Sequence, residues 1–280
     1  MTQNSPGYYL PSPSIWPIVG SVALFTLAVG AVFLMNGMPT APYILGLGAL
    51  ILIYMLFGWF GTVIRENESG KFNKQVDLSY RWGMSWFIFS EVMFFAAFFG
   101  ALFYMRILSV PELATGSTGE LLWKGFSSGW PVAGPGLENK FTPMGAWGIP
   151  AINTLILLTS GATVTWAHWG LKKNNRFQLI WGLILTVGLG IAFLALQVHE
   201  YQEAAFSLST GAYGATFYML TGFHGMHVTL GTIMLIVVLF RSMAGHFTPE
   251  RHFAFEAVSW YWHFVDVVWL GLFVFVYWLI

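Results

Sequence analysis

Long apolar runs separated by short polar stretches dominate the chain. A helix needs about 20 mostly apolar residues to cross ~30 Å of hydrocarbon. Seven runs meet that length: Ile15–Met35, Pro42–Ile64, Trp82–Met105, Trp147–Trp169, Gln178–His199, Tyr213–Phe240 and Ala257–Leu279. The first two are joined by Asn36–Ala41, short and uncharged, which predicts a tight helical hairpin. Arg106–Ala146 is long and rich in Gly and Pro, including Gly129-Trp130-Pro131 and Gly134-Pro135-Gly136. It reads as an ordered external loop with little regular structure. No internal repeat is visible.

Composition makes lipid the solvent. Of 280 residues, 56% are hydrophobic and 9% charged, against roughly 25% charged in a soluble domain. A net charge of zero gives nucleic-acid binding no electrostatic support. The absence of Cys excludes disulfides, thiolate zinc sites and iron–sulfur clusters. Met1–Ser14 contains no Lys or Arg. A cleaved signal peptide starts basic, so the run from Ile15 reads as a retained first span.

The charges set an orientation. Seven spans put Arg65, Lys71, Lys74, Arg81, Lys172, Lys173, Arg176, Arg241 and Arg251 on one side, and only Arg106, Lys124 and Lys140 on the other. Positive loops stay cytoplasmic, so the N-terminus is expected inside and the C-terminus outside. Trp16, Trp59, Trp82, Trp147, Trp166, Trp169, Trp181 and Trp260 fall near span ends, as an aromatic belt does.

Ionisable groups in hydrocarbon are costly and each needs a reason. Glu91 lies nine residues beyond Trp82, about 14 Å deep at 1.5 Å per residue. It reads either as a neutral acid hydrogen-bonded to a neighbouring helix or as a proton-transfer or ligand group. His224 and His227 share a face of the sixth span. Two His on one face cannot clamp a haem from both sides, and His263 is the only other deep candidate. Close packing at Gly222 and Gly225, with the His bonding across it, accounts for them more simply. His263 and Asp266, three residues apart, can pair within one helix. Glu256, His199, Glu200 and Glu203 read as interfacial. Chemistry alone leaves open a transporter or channel, an oxidoreductase with its own haem, or a cofactor-free subunit of a larger membrane complex.

Longer motifs add a resemblance. They are Trp86-Phe-Ile-Phe-Ser-Glu91-Val-Met-Phe-Phe95, Asn153-Thr-Leu-Ile-Leu-Leu-Thr-Ser-Gly161 running on to Thr165-Trp-Ala-His168, and His199-Glu-Tyr-Gln-Glu-Ala204. Gly222-Phe-His-Gly-Met-His-Val228, His252-Phe-Ala-Phe-Glu256 and Trp260-Tyr-Trp-His-Phe-Val-Asp-Val-Val-Trp269 follow in order. From about residue 59 onward the chain resembles subunit III of aa3-type haem-copper cytochrome c oxidases.

The resemblance implies an all-α fold of seven transmembrane helices in a single membrane domain, 1–280. A hairpin and cytoplasmic loop (1–81) would splay from a five-helix bundle (82–280) across a lipid-filled cleft, with residues 106–146 as periplasmic loop. It implies no catalytic residue, haem or metal in this chain. Haem a, haem a3 and copper would lie in partner subunits I and II, and cytochrome c would be oxidised by the whole complex as O2 is reduced and protons are pumped. This subunit would support proton uptake and stability and bind phospholipids. Glu91 matches the family's buried membrane glutamate. Val63-Ile64-Arg65-Glu66 matches an element facing the lipid cleft, and Trp59 and Arg241 match headgroup-proximal positions. His224, His227, His263 and Asp266 match a packed polar layer. The stretch Ser117–Phe141 looks longer than in mitochondrial versions, which points to a bacterial inner membrane. A stand-alone transporter, or an accessory subunit of another haem-copper enzyme, is the alternative.

Overall fold

A computed structural model of the protein describes residues 9–137 and 141–280. The tail before Tyr9 and Lys140, which entered the charge reading, lie outside the described residues. Among those described there is no strand, and seven helices are long and apolar enough to span a membrane. The chain divides into two compact units, up to Tyr80 and from Arg81 onward.

In the first unit α1 (Trp16–Met35) and α2 (Ala41–Glu68) form the expected hairpin. Gly37, at φ +67°, turns the chain after α1. Glycine lets the two backbones close up. A Cβ on Gly30 would lie 2.9 Å from the Leu45 amide nitrogen, and one on Gly48 the same distance from that of Leu27. At the other end the Trp16 ring covers Gly58, and its indole donates to Thr62 Oγ1 at 3.4 Å.

The helix α3 (Lys74–Phe103) carries the chain into the second unit. It does not stop where the hydropathy stops. A π-helical stretch (Tyr104–Ser109) and α4 (Val110–Thr115) continue it, and α5 (Ser117–Leu122) follows directly. Of the loop expected from Arg106, the irregular part therefore begins only after Leu122. Ile107, Leu108 and Val110 keep the segment apolar, and Pro111 sits in the first turn of α4, where its missing N–H is tolerated. The Arg106 guanidinium donates to the Leu279 carbonyl near the end of the last span.

The remaining spans are α6 (Ile149–Lys172), α7 (Arg176–Glu203), α8 (Gly211–Met243) and α9 (Phe253–Leu272), the last extended by a π-helical stretch, Phe273–Trp278. Polarity is inverted relative to a soluble bundle. Asn153, Ser160, Thr186, Gln197, Thr221 and Thr232 are buried, while Leu155, Ile191, Phe240 and Val267 face outward. Lipid tails give helices no hydrophobic reason to associate, so small residues and hydrogen bonds hold the bundle. Trp262, fully buried, lies between Gly190 of α7 and Gly231 of α8, whose added Cβ atoms would approach its ring to 2.9 and 2.8 Å. Its indole donates to Ser160 Oγ of α6 at 2.9 Å. The loop before α6 is anchored on α8. The amides of Ala212 and Tyr213 donate to the carbonyls of Ala133 (2.7 Å) and Val132 (3.2 Å), occupying donors that the first turn of a helix leaves open.

Candidate functional site: a buried polar layer

Glu91 has a partner on another helix. Its Oε2 lies 2.9 Å from Nε2 of His227, and the His side chain is almost completely buried. The ring's other nitrogen, Nδ1, is 2.6 Å from the Phe223 carbonyl oxygen. A carbonyl only accepts, so Nδ1 carries a proton. One further proton must then lie between Nε2 and Glu91. The pair is either imidazolium with carboxylate or imidazole with carboxylic acid, and its net charge is zero in both forms. That resolves the cost of an acid at this depth. Phe94 and Phe95 pack on the same imidazole, with ring centroids 5.7 and 4.9 Å away.

His224 and His227 share the α8 face but do different work. The Nε2 of His224 donates to the Val265 carbonyl of α9 at 3.2 Å, and the ring is enclosed by Phe193 and Trp269. His263 and Asp266 lie elsewhere, on the outward α6–α9 side. Thr165 Oγ1 donates to the Gly161 carbonyl at 2.9 Å. It must therefore accept from Nε2 of His263, 3.2 Å away. His263 Nδ1 is 3.5 Å from Asp266 Oδ2. The His263 side chain is 44% exposed, so this residue is not packed inside the bundle with His224 and His227.

A second cluster sits at the basic end of the bundle, and sequence reasoning missed it. Arg81 of α3 forms an ion pair with Glu256 of α9. The other Glu256 oxygen, Oε1, is 3.1 Å from His252 Nε2 and 3.5 Å from His168 Nε2. Glu256 sits in the first turn of α9, at the end of the span, and is buried there; Arg81 makes that burial tolerable. His168, His252 and Glu256 offer metal-ligand atoms within 4.8 Å of one another. The usable sequence signal was the His252/Glu256 spacing of four residues on one helix face. Glu200, in the last turn of α7, is 1% exposed and lies beside Tyr277. His199 and Glu203 are exposed and 3.5 Å apart.

Of the residues that the resemblance places near headgroups, Arg65, Glu66 and Arg241 lie in the last turns of α2 and α8, and Trp59 lies farther inside α2. In the first unit Trp59 is exposed and stacks on Phe60 at 5.7 Å. Arg65 donates to Thr62 Oγ1 at 3.2 Å, and Glu66 accepts from the Tyr9 hydroxyl at 3.0 Å. In the second unit Arg241, in the last turn of α8, stacks its guanidinium over Phe247 at 4.6 Å.

Fold and site together define a polytopic α-helical membrane protein organised around buried carboxyl–imidazole contacts. The family model described as cytochrome c oxidase subunit III matches residues 6–280. The chain is 43% identical over 279 residues to cytochrome c oxidase subunit 3 of Marchantia polymorpha, covering 99% of this chain and 98% of that protein. It is 40% identical over 279 residues to the subunit 3 of Papio hamadryas, covering 99% of each. A Chondrus crispus counterpart is 43% identical over 272 residues, covering 97% of this chain and 93% of the relative. The chain belongs to the cytochrome c oxidase subunit III family. It is a subunit of an oxidoreductase complex and works with other oxidase subunits.

Proposed function

We propose that this chain is the cofactor-free third subunit of an aa3-type cytochrome c oxidase. In this reading it stabilises the catalytic subunit, supports its proton uptake, and holds phospholipid at its surface. The observation that carries the cofactor-free reading is how the imidazoles of His224, His227 and His263 are used. His227 is held by Phe223 and Glu91, His263 by Thr165 and Asp266, and His224 by Val265 between two aromatic rings. No two of them are arranged to ligate a haem from opposite faces. In this reading haem a, haem a3 and copper belong to subunits I and II.

Lipid binding rests on Arg65 with Trp59 and Glu66, and on Arg241, because a guanidinium binds phosphate through two parallel hydrogen bonds. Glu91 contributes from the membrane interior as half of a net-neutral pair. The orientation with the N-terminus inside rests on charge, and the bacterial plasma membrane on the length of the stretch Ser117–Phe141. Arg81, Lys172, Lys173, Arg176, Arg241 and Arg251 lie toward the bundle end that carries the Arg81–Glu256 ion pair and the Arg176 contact with the Ser242 carbonyl at 2.7 Å.

Removing the chain from the purified complex and adding it back tests the role. The depleted oxidase should take up protons more slowly and lose activity after fewer turnovers, and the added chain should restore both. An unchanged uptake rate and lifetime would contradict it.

A further inference from the structure

Three donor atoms converge at the basic end of the second unit, from the end of α6 and the start of α9. Glu256 Oε1 is 3.1 Å from His252 Nε2 and 3.5 Å from His168 Nε2. A tetrahedral zinc ion, with its ligands roughly 2.1 Å away, holds them about 3.4 Å from one another. The two separations bracket that edge. Each donor is also left free to face the centre. His252 Nδ1 is 3.1 Å from the Thr248 carbonyl oxygen. A carbonyl only accepts, so Nδ1 carries a proton and Nε2 is the nitrogen available to a metal. Fixing the tautomer through the far nitrogen is how imidazole ligands are oriented in metal sites. Arg81 holds Glu256 Oε2 and leaves Oε1 to the centre. His168 Nε2 is buried and makes no hydrogen bond among the described residues. A shared proton would join His252 to Glu256 and leave His168 without a partner. One cation takes all three.

We propose that His168, His252 and Glu256 form a binding site for an exchangeable zinc ion, with water as the fourth ligand. Two imidazole nitrogens and a carboxylate suit zinc, whereas magnesium and calcium take oxygen ligands. The His168 side chain is 18% exposed and Arg81 is about one-third exposed, so water and the ion enter from the basic end. Arg81 orients the ligating carboxylate from behind, as outer-shell partners do. Its charge and that of Lys172, close to His168, oppose a cation and keep the ion exchangeable rather than structural. The bound ion would clamp the end of α6 to the start of α9. It is no redox group, so the reading of this chain as free of haem and copper is unaffected, and the site goes beyond that reading.

The test uses the whole purified oxidase, stripped with a chelator and dialysed against buffered Zn2+. At the same free zinc, the parent complex should hold one more ion than complexes carrying His168→Ala or His252→Ala. Each substitution should weaken that site by at least about tenfold, the least that loss of an outer-shell partner costs. His199→Ala, which removes an exposed imidazole on α7 outside the cluster, should keep the ion. The haem spectrum and subunit composition of every sample establish that the complex has assembled. Zinc-edge anomalous diffraction from the parent complex should place the ion among the three side chains, whatever the variants do. Equal zinc content in the parent and both His variants would overturn the proposal. So would the same loss in His199→Ala, or an anomalous map with no zinc between His168, His252 and Glu256.

Discussion

Glu91 on α3 and His227 on α8, 136 positions apart in sequence, meet with Oε2 and Nε2 2.9 Å apart. The Phe223 carbonyl fixes a proton on the opposite nitrogen of the ring, so carboxyl and imidazole share a single proton. Glu91→Gln and His227→Gln should each destabilise the protein, and the double variant should cost less than their sum. A coupling of about 0.6–1.7 kcal/mol is expected from interhelical hydrogen bonds in membranes. Thermal unfolding of the four proteins in one detergent measures it, and additive losses would show that the two side chains do not interact.

The Arg81–Glu256 ion pair joins α3 to α9 at the basic end of the bundle. Glu256 is largely enclosed while Arg81 is about one-third exposed, so the cost of breaking the pair falls between the buried and surface cases. Arg81→Ala should lower stability by roughly 1–3 kcal/mol. Glu256→Gln should cost less than Glu256→Ala, because the amide can still accept from Arg81. Equal losses for Gln and Ala, read from unfolding midpoints, would contradict acceptance by the amide and mean that only the charged carboxylate sustains the contact.

Trp262 is the point at which four helices meet. Trp262→Phe keeps the ring between Gly190 and Gly231 but loses the 2.9 Å bond to Ser160 Oγ, at a cost of about 1 kcal/mol. Gly231→Leu should be far worse, because the space for its side chain is occupied by the Trp262 and Tyr261 rings. Limited proteolysis in detergent compares the two. A protease-resistant Gly231→Leu bundle would contradict this packing.

Arg65 and Arg241 are expected to hold lipid phosphate. Native mass spectra of Arg65→Ala and Arg241→Ala should each show fewer phospholipid adducts than the parent chain, with Arg→Lys losing less. Unchanged occupancy in both Ala variants would count against phosphate binding at these positions.

Hydropathy located all seven spans because each crosses the same thickness of hydrocarbon. It placed their ends less well. α3 was expected from Trp82 to Met105, yet helical structure runs from Lys74 to Thr115. Lys74, Asp77 and Arg81 are polar and still helical, since hydropathy records the span within lipid and not the length of the hydrogen-bonded helix. Glu91 could be singled out from its depth alone. Its bond to His227 could not, because no local spacing links residues on α3 and α8. The same limit hid the partnership of Arg81 with Glu256, although His252 and Glu256 shared a visible helix face. His263 and Asp266 were readable as neighbours three residues apart. Their outward-facing position depends on how α6 packs on α9, which one helix's sequence does not specify.

The most direct test of the central claim is to tag this chain, purify it in mild detergent, and record its visible spectrum alongside the proteins that accompany it. The account predicts a haem a spectrum with two larger oxidase subunits, and a colourless chain with the haem left on those subunits once this one is stripped away. A chain that purifies alone and colourless from several gentle detergents, or one that keeps haem after its partners are removed, would contradict it.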